Sequence, residues 1–392
     1  MADRTLHRRG SERASRFTES VIREMTRVAN RHGAVNLAQG FPDFPAPEAL
    51  KEAARRWIDA DLNQYATTWG SDRLRAALGR WMEEHRGVAI DPDAQVTVCC
   101  GATEGMMAAL MGVLDPGDEV LVPEPFYENY GPDAVLAGAA ARFVPLGPGF
   151  QLDVDAMRLA DTPKTRAVVL NTPHNPTGRV FSREEIAELC RYVLERDLLL
   201  ITDEIYEEIL YVGAHHSPLA EPEMAERTIV VSGASKTFSV TGWRVGWVIA
   251  PPDLTAGIRK VHDFLTVGAP APLQEAVAEA LLWPDAYFEE LRRDYRERRD
   301  LLVGGLQELG FACETPEGAY YVMTDVGAMQ EDGEDDVAFA MRLVREAGVA
   351  TVPGSSFFHR PEDGRRLVRF CYAKTSATLT DALQRLRTWR GR

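Results

Sequence analysis

Short apolar, β-branched runs alternate with helix-like segments over the first two thirds of the chain. The helix-like segments include residues 104–114 and 184–195, and Ser182 with Glu185 three residues later forms a capping-box pattern before the second. Strands that are apolar on both faces and separated by helices are typical of a mostly parallel sheet covered on each side. The predicted strands are residues 96–100, 120–123, 167–171, 198–203, 228–232 and 245–250.

The pattern changes in the last third of the chain. Residues 281–309 are strongly helical and charged, and short strands are predicted at 319–324, 350–352 and 367–372, with a helix over 335–347. This mixture predicts a second, smaller α+β domain. Residues 1–45 are too few for a domain, so we expect them to pack on the C-terminal domain or on a partner subunit. The predicted division is a large domain over residues 46–284 and a small domain over 1–45 plus 285–392.

Composition excludes several classes of protein. The chain has 392 residues, of which 45% are hydrophobic, and its net charge of −15 disfavours binding to nucleic acid or to an anionic membrane surface. No apolar run approaches the roughly 18 residues that span a membrane. The five cysteines show neither a CxxC motif nor a Cys/His metal spacing, so we expect reduced thiols, no metal site and a cytoplasmic protein.

Polar or small residues follow four of the predicted strands. In an open parallel α/β sheet, ligands bind at the carboxyl ends of the strands, so these residues are expected to converge on one edge. They are Gly101, Ala102 and Thr103 at a helix start, Asn175 in an Asn-Pro-Thr-Gly turn, Asp203 with Tyr206, and Ser232 and Ser235 with Lys236.

These groups together suit a phosphorylated pyridine aldehyde. Small residues at a helix N-terminus let backbone N–H groups reach a phosphate, and the helix dipole favours the anion. A carboxylate keeps a pyridine nitrogen protonated, which makes the ring an electron sink, while an amide and a phenol can hold the ring hydroxyl. A lysine amine forms an imine with the aldehyde and later moves a proton.

Each group has an ordinary structural interpretation when it is taken alone. Lys236 could be a surface lysine, Asp203 a helix cap, Asn175 part of a turn and Tyr206 a core residue. Their order after successive strands favours the cofactor site. Nucleotide sites are excluded, because Ser235 stands where a phosphate-binding loop needs glycine, and no G-x-G-x-x-G follows a predicted strand.

The segment from residue 235 to 246, Ser-Lys-Thr-Phe-Ser-Val-Thr-Gly-Trp-Arg-Val-Gly, resembles the Schiff-base segment of the class I aminotransferases. These are fold type I enzymes that use pyridoxal 5′-phosphate (PLP), and the resemblance extends from about residue 17 to 387. It implies that Lys236 carries the cofactor as an imine. It also implies that Arg244, eight residues later, binds the cofactor phosphate.

The same resemblance assigns further cofactor contacts. Asn175 and Tyr206 match the residues that hold the ring hydroxyl, and Asp203 matches the partner of the pyridine nitrogen. Tyr127 matches the aromatic residue that stacks on the ring. Tyr65 matches a tyrosine that reaches the phosphate of the neighbouring subunit, which implies a homodimer with shared active sites.

On the substrate side, residues 36–45 resemble a loop of the glutamine, kynurenine and methionine aminotransferase branch. Gly40 would offer its backbone there, and Arg369 matches the arginine that pairs with the substrate α-carboxylate, assisted by Asn175. A planar guanidinium binds a carboxylate through two parallel hydrogen bonds, which lysine cannot reproduce.

The chain departs from the family pattern at two kinds of position. Gly233 stands where the family often has a serine, so Ser232 or Ser235 is expected to supply a hydroxyl to the phosphate. Aromatic residues of the kynurenine branch are missing near residues 100–101 and around Ile22, which argues against aromatic substrates.

The resemblance therefore implies an aminotransferase that acts on neutral, mid-sized amino acids such as methionine, glutamine or leucine and on a 2-oxo acid. No second arginine has a motif that assigns it to a side-chain carboxylate. A PLP-dependent lyase, γ-replacement enzyme or cyclase on the same scaffold remains the alternative. A non-catalytic PLP-sensing regulator is disfavoured, because no DNA-binding extension is visible and the chain is acidic.

Overall fold

The computed structural model describes residues 11–391, which form an α/β fold with three sheets. The strands are β1 (Val35–Asn36), β2 (Val96–Cys99), β3 (Glu119–Glu124), β4 (Ala140–Pro145), β5 (Thr165–Asn171), β6 (Leu199–Asp203), β7 (Thr228–Gly233), β8 (Gly246–Ile249), β9 (Tyr321–Asp325), β10 (Val349–Ala350), β11 (Val352–Pro353) and β12 (Leu367–Cys371).

The helices pack on the faces of these sheets. They are α1 (Val21–His32), α2 (Glu48–Asp59), α3 (Asp72–Arg86), α4 (Pro92–Gln95), α5 (Ala102–Val113), α6 (Tyr130–Ala137), α7 (Val154–Ala160), α8 (Arg183–Glu195), α9 (Ala234–Thr237), α10 (Pro252–Thr266), α11 (Ala271–Ala280), α12 (Asp285–Glu308), α13 (Asp336–Arg342), α14 (Pro361–Gly364) and α15 (Ser376–Arg390).

The central sheet has seven strands in the order β2-β8-β7-β6-β5-β3-β4. The five strands from β7 to β4 pair in parallel, whereas β8 runs antiparallel to both of its neighbours. Strands β2, β6, β7 and β8 are buried along their whole length, as the predicted two-sided cover requires. The mostly parallel α/β sheet predicted from the sequence is therefore confirmed.

Local sequence explains where α8 begins. The Ser182 hydroxyl accepts a hydrogen bond from the Glu185 backbone N–H at 3.2 Å, and the Glu185 carboxylate accepts one from the Ser182 N–H at 2.8 Å. Two N–H groups that would otherwise lack partners at the helix start are satisfied in this way. The predicted capping box is confirmed.

A three-stranded antiparallel sheet, β11-β12-β9, lies in the C-terminal part of the chain. Strand β1 of the N-terminal segment pairs with β10, so this segment packs on the C-terminal part of the chain. This was one of the two positions expected for it, the other being on a partner subunit. The single strand predicted at 350–352 is divided between β10 and β11. The helix predicted at 335–347 changes at Leu343 from α13 to a π-helical turn.

Strand β4 at the edge of the central sheet was not predicted. Its sequence, Ala-Ala-Arg-Phe-Val-Pro, is only partly buried and contains the arginine and proline that are common in edge strands. Sequence pattern alone therefore gives it little contrast with a loop. Among the described residues, no helix is both long and apolar enough to cross a membrane.

Candidate active site

The carboxyl ends of the central strands open into a cavity of about 420 Å³. It is the meeting point of the turns after β2, β5, β6 and β7 with the N-terminal segment and β12. The predicted site residues that line it are Gly40, Ala102, Thr103, Tyr127, Asn175, Asp203, Tyr206, Ser235, Lys236, Arg244 and Arg369. Residues scattered over more than 300 positions of the sequence are thus brought into one cavity.

Lys236 lies on the one-turn helix α9 directly after β7, and its side chain points into the cavity. Its Nζ donates to the Gly40 carbonyl at 3.2 Å and lies 5.8 and 5.6 Å from the ring centres of Tyr206 and Tyr320. Desolvation lowers the pKa of the amine to about 8, although nearby Asp203 opposes this shift. The amine is therefore closer to its neutral, nucleophilic form than an ordinary lysine.

Asp203 ends β6 and is buried at the cavity wall. Its Oδ2 accepts a hydrogen bond from the Tyr130 hydroxyl at 2.8 Å, and Oδ1 accepts a longer one of 3.3 Å from the Ile205 N–H. Burial raises the pKa of this carboxyl to about 6, even though both hydrogen bonds favour the ionised form. A cationic ligand group beside Asp203 would relieve this cost.

The start of α5 forms an open turn beside Arg244. Gly101 has φ of 81°, and a methyl group there would lie 2.2 Å from the Arg244 guanidinium. Gly246, in the facing strand β8, leaves no room for one either, since it would lie 2.5 Å from the Ala102 nitrogen. Arg244 is fixed by hydrogen bonds from its guanidinium to the carbonyls of Thr241 (2.9 Å) and Cys100 (3.2 Å). The backbone N–H groups of a helix start and a guanidinium thus face the same space, which suits a phosphate.

Arg369 is fully buried in β12 at the opposite side of the cavity. Its guanidinium donates to Asn175 Oδ1 and to the Ala38 carbonyl, both at 2.8 Å, and lies 4.1 Å from the ring centre of Tyr321. Its Nε–H has no hydrogen-bond partner among the described residues. A buried guanidinium with unused donors can bind a carboxylate.

Three predicted residues do not line the cavity. One of them is Gly101, the capping residue of α5. Ser232 is buried on β7, and its hydroxyl donates to the Glu207 carboxylate at 2.7 Å, so the expectation that it contacts the phosphate is corrected. Of the two serines considered, Ser235 is the one at the cavity. Tyr65 lies on the surface with 86% of its side chain exposed.

Sequence reasoning missed three charged residues at the cavity. Arg23 of α1 and Glu128 line its outer part, and Arg23 forms no ion pair among the described residues. Asp133 of α6 is buried with its Oδ2 unpartnered, and burial together with Asp203 raises the pKa of its carboxyl to about 7. None of the three directly follows one of the four strands used to find the cofactor residues, and none belongs to a motif that the family resemblance assigned.

Several known proteins resemble this chain in sequence and in fold. Residues 32–386 match the family model for aminotransferases of class I and II. The sequence is 43% identical to a probable N-succinyldiaminopimelate aminotransferase of Mycobacterium tuberculosis, covering 94% of this chain and 96% of the relative. It is 37% identical to a methionine aminotransferase of Escherichia coli, covering 94% and 95%. The structure of the N-succinyldiaminopimelate aminotransferase from Mycobacterium tuberculosis superposes with a TM-score of 0.94 at 41% identity, over 97% of this chain and 100% of the other.

Proposed function

We propose that the amino donor of this chain is a neutral, mid-sized L-amino acid. The premise is that the chain belongs to the aminotransferase class I and II family and is a PLP-dependent aminotransferase. The family and the named relatives establish transfer of an amino group between an amino acid and a 2-oxo acid. The choice of donor is the part that we infer. The observation that carries it is the apolar and aromatic surface of Ile22, Phe41 and Tyr127 in the cavity that holds Lys236.

The residues around the cavity fit PLP. The amine of Lys236 forms no ion pair among the described residues, the turn at residues 101–103 faces Arg244, and Asp203 stands where a carboxylate can meet a protonated pyridine nitrogen. Asn175 accepts from Arg369 through Oδ1, which leaves its Nδ2 hydrogens for a ring oxygen. When bound, the cofactor supplies an electron sink that stabilises negative charge at the substrate Cα.

The chain's own residues then bind, orient and move protons. Lys236 would hold the cofactor through its amine, and the free amine would be the base that moves a proton from the substrate Cα. Its lowered pKa of about 8 suits this role near neutral pH. Asp203 keeps the ring nitrogen protonated, and Tyr130 holds this carboxylate in place through its 2.8 Å hydrogen bond.

The outer cavity favours uncharged side chains near Cα. Ile22, Phe41 and Tyr127 supply apolar and aromatic surface there. Arg369 can bind the α-carboxylate of donor and acceptor in turn, so one site serves both reactants. The 37% identity to a methionine aminotransferase supports a donor of this kind.

A second candidate is an extended amino acid with a distal carboxylate. Arg23 supports it, because its guanidinium lines the outer cavity and forms no ion pair among the described residues. The relative at 43% identity is named for N-succinyldiaminopimelate, an amino acid that carries carboxylates far from its reacting amine. Glu128, which also lines this region and accepts a hydrogen bond from Ser20, would oppose a second anion there.

A half-reaction panel separates the two candidates. Methionine, glutamine, leucine, aspartate and N-succinyl-LL-diaminopimelate are each added to the PLP form, and the rate of conversion to the pyridoxamine form is followed spectroscopically. Methionine as the fastest donor, with the same rate in Arg23→Gln, supports the main proposal. N-succinyl-LL-diaminopimelate as the fastest donor, with a selective loss in Arg23→Gln, replaces it with the second.

We also propose a homodimer in a cytoplasmic location. The support for the dimer is Tyr65, which lies outside its own cavity and is 86% exposed, as expected of a side chain offered to a second copy. Phe264, which is 91% exposed, adds apolar surface that an interface would cover. The support for the location is that all five cysteines are free.

A further inference from the structure

A fully buried histidine lies behind the turn that starts α5. His262 of α10 points its Nδ1 at both carboxylate oxygens of Glu104, at 3.0 and 3.1 Å. Its Nε2 lies 2.9 Å from the Thr68 carbonyl oxygen. The same Glu104 carboxylate accepts a hydrogen bond of 2.9 Å from the Cys100 N–H. One imidazole thus joins a surface loop to the turn at residues 100–104.

These partners determine where the protons lie. A carbonyl oxygen only accepts, so Nε2 must carry a hydrogen. At Nδ1 the two Glu104 oxygens are closer than the Thr266 hydroxyl, which lies at 3.3 Å. An ionised Glu104 only accepts, so a hydrogen on Nδ1 satisfies this contact, and the ring is then an imidazolium. The interaction with Glu104 accordingly raises the pKa of His262 despite its burial. His262 and Glu104 form a buried ion pair.

The position of Glu104 makes this pair important for an anion. Glu104 is the third residue of α5, whose capping residue is Gly101 and has no side chain, so Glu104 reaches back to the Cys100 N–H instead. A lone carboxylate there would repel a phosphate bound at the same helix start. The positive charge of His262 offsets that repulsion.

We propose that the His262–Glu104 pair is a positioning device for the cofactor phosphate, in which Glu104 fixes the turn at residues 100–104 and His262 cancels the charge of Glu104. Through the Thr68 carbonyl, the pair also holds the loop that carries Tyr65, the residue offered to the second subunit. The inference rests on the proposed phosphate position at residues 101–103.

Several titratable groups surround the imidazole. Glu104 faces it from α5, the thiols of Cys99 and Cys100 face the same carboxylate from the end of β2, and Asp263 lies on its own helix. The pKa values of both thiols are raised above their ordinary value. The pKa of His262 in the folded protein is raised above that of an ordinary histidine. The ion pair is therefore intact at pH values below the ordinary histidine pKa, and it is lost as pH rises through the raised pKa of His262. The affinity of the protein for the cofactor phosphate should fall as the ion pair is lost.

The test measures binding of pyridoxamine 5′-phosphate to the cofactor-free protein from about pH 7 to about pH 9.5, where the phosphate is a dianion. This ligand has no aldehyde, so imine formation at Lys236 does not contribute. His262→Gln leaves Glu104 charged and should weaken binding by about tenfold near pH 7. Glu104→Gln removes the carboxylate charge, and its affinity should decline less with pH than that of the wild type. The Lys236 amine, whose pKa is lowered to about 8, titrates in both proteins, but only the wild type also loses the ion pair. The double variant should recover most of the affinity lost in His262→Gln, because neither charge remains.

Two controls separate the possible failures. His32→Gln changes an exposed histidine of α1 and should leave binding unchanged. Arg244→Gln should weaken binding strongly. If Arg244→Gln has no effect, the proposed phosphate site is wrong. If Arg244→Gln weakens binding but His262→Gln binds as tightly as wild type at every pH, or if the double variant is no better than His262→Gln, the positioning role of the pair is refuted.

Discussion

Replacing Arg369 by lysine tests substrate recognition most directly. A guanidinium has five N–H donors, and two of those of Arg369 are engaged by Asn175 Oδ1 and the Ala38 carbonyl. The remaining donors, including the unpartnered Nε–H, are left for a substrate carboxylate. Lysine has a single ammonium group and lacks the plane that lies 4.1 Å from the Tyr321 ring centre.

The size of the effect depends on the number of hydrogen bonds lost. We expect Arg369 to make two charge-assisted hydrogen bonds to the carboxylate and lysine to keep one. One such bond is worth about 1.5–3 kcal/mol. The rate constant of the half-reaction at low substrate concentration should therefore fall roughly 10-fold to 150-fold in Arg369→Lys.

The assay compares two amino donors that differ only in the carboxylate. Methionine and its decarboxylated analogue, 3-(methylthio)propylamine, are each reacted with the PLP form of wild type and Arg369→Lys. The loss should be confined to methionine, because the amine has no group for Arg369 to bind. An equal loss for both donors would mean that the substitution disturbs Asn175 or the fold instead, and the assignment of Arg369 to the carboxylate would fail.

Four further predictions concern the cofactor site and the assembly. Borohydride reduction of the holoenzyme should fix the cofactor to the peptide that contains Lys236, and a label on any other lysine would contradict its assignment. Asp203→Asn should retain PLP but lose most turnover, since an amide cannot hold the ring nitrogen protonated, and near-normal turnover would count against that role. Because burial raises the folded pKa of Asp203 to about 6, above its unfolded value, the cofactor-free wild type should lose thermal stability relative to Asp203→Asn as pH rises from about 4 to about 6; parallel melting curves would refute this. Light scattering should find a dimer. Tyr65→Phe should weaken PLP binding without dissociating the dimer. An active, PLP-loaded monomer would contradict the proposal that the active site is shared between subunits.

The central sheet could be predicted because its strands are buried on both faces. Apolar runs such as β6 stand out between helical segments, and the residues directly after each run must lie at one edge of a parallel sheet. This logic led to Asp203 and Lys236, which the structure brings into one cavity. The family comparisons confirm the resemblance, the PLP cofactor and transamination. The domain bounds remain a prediction.

The residues that sequence reasoning missed depend on tertiary packing. Arg23 reaches the cavity from α1, a helix far from the sheet in sequence, and its own pattern is that of an ordinary exposed helical arginine. Ser232 was considered because Gly233 stands where the family often has a serine, and its contact with Glu207 depends on how β7 packs against the segment after β6. The pairing of His262 with Glu104 joins residues that are 158 positions apart. No local pattern encodes such a contact.

The tight approach of Gly101 and Gly246 has a consequence for protein engineering. Neither position can accept even a methyl group without moving the start of α5 or the Arg244 side chain. A library that seeks new amino donors should keep both glycines fixed and vary the wall at Arg23 and Phe41, whose exposed side chains the packing leaves freer to change. Selectivity could then evolve on one side of the cavity while cofactor retention is inherited unaltered from the other.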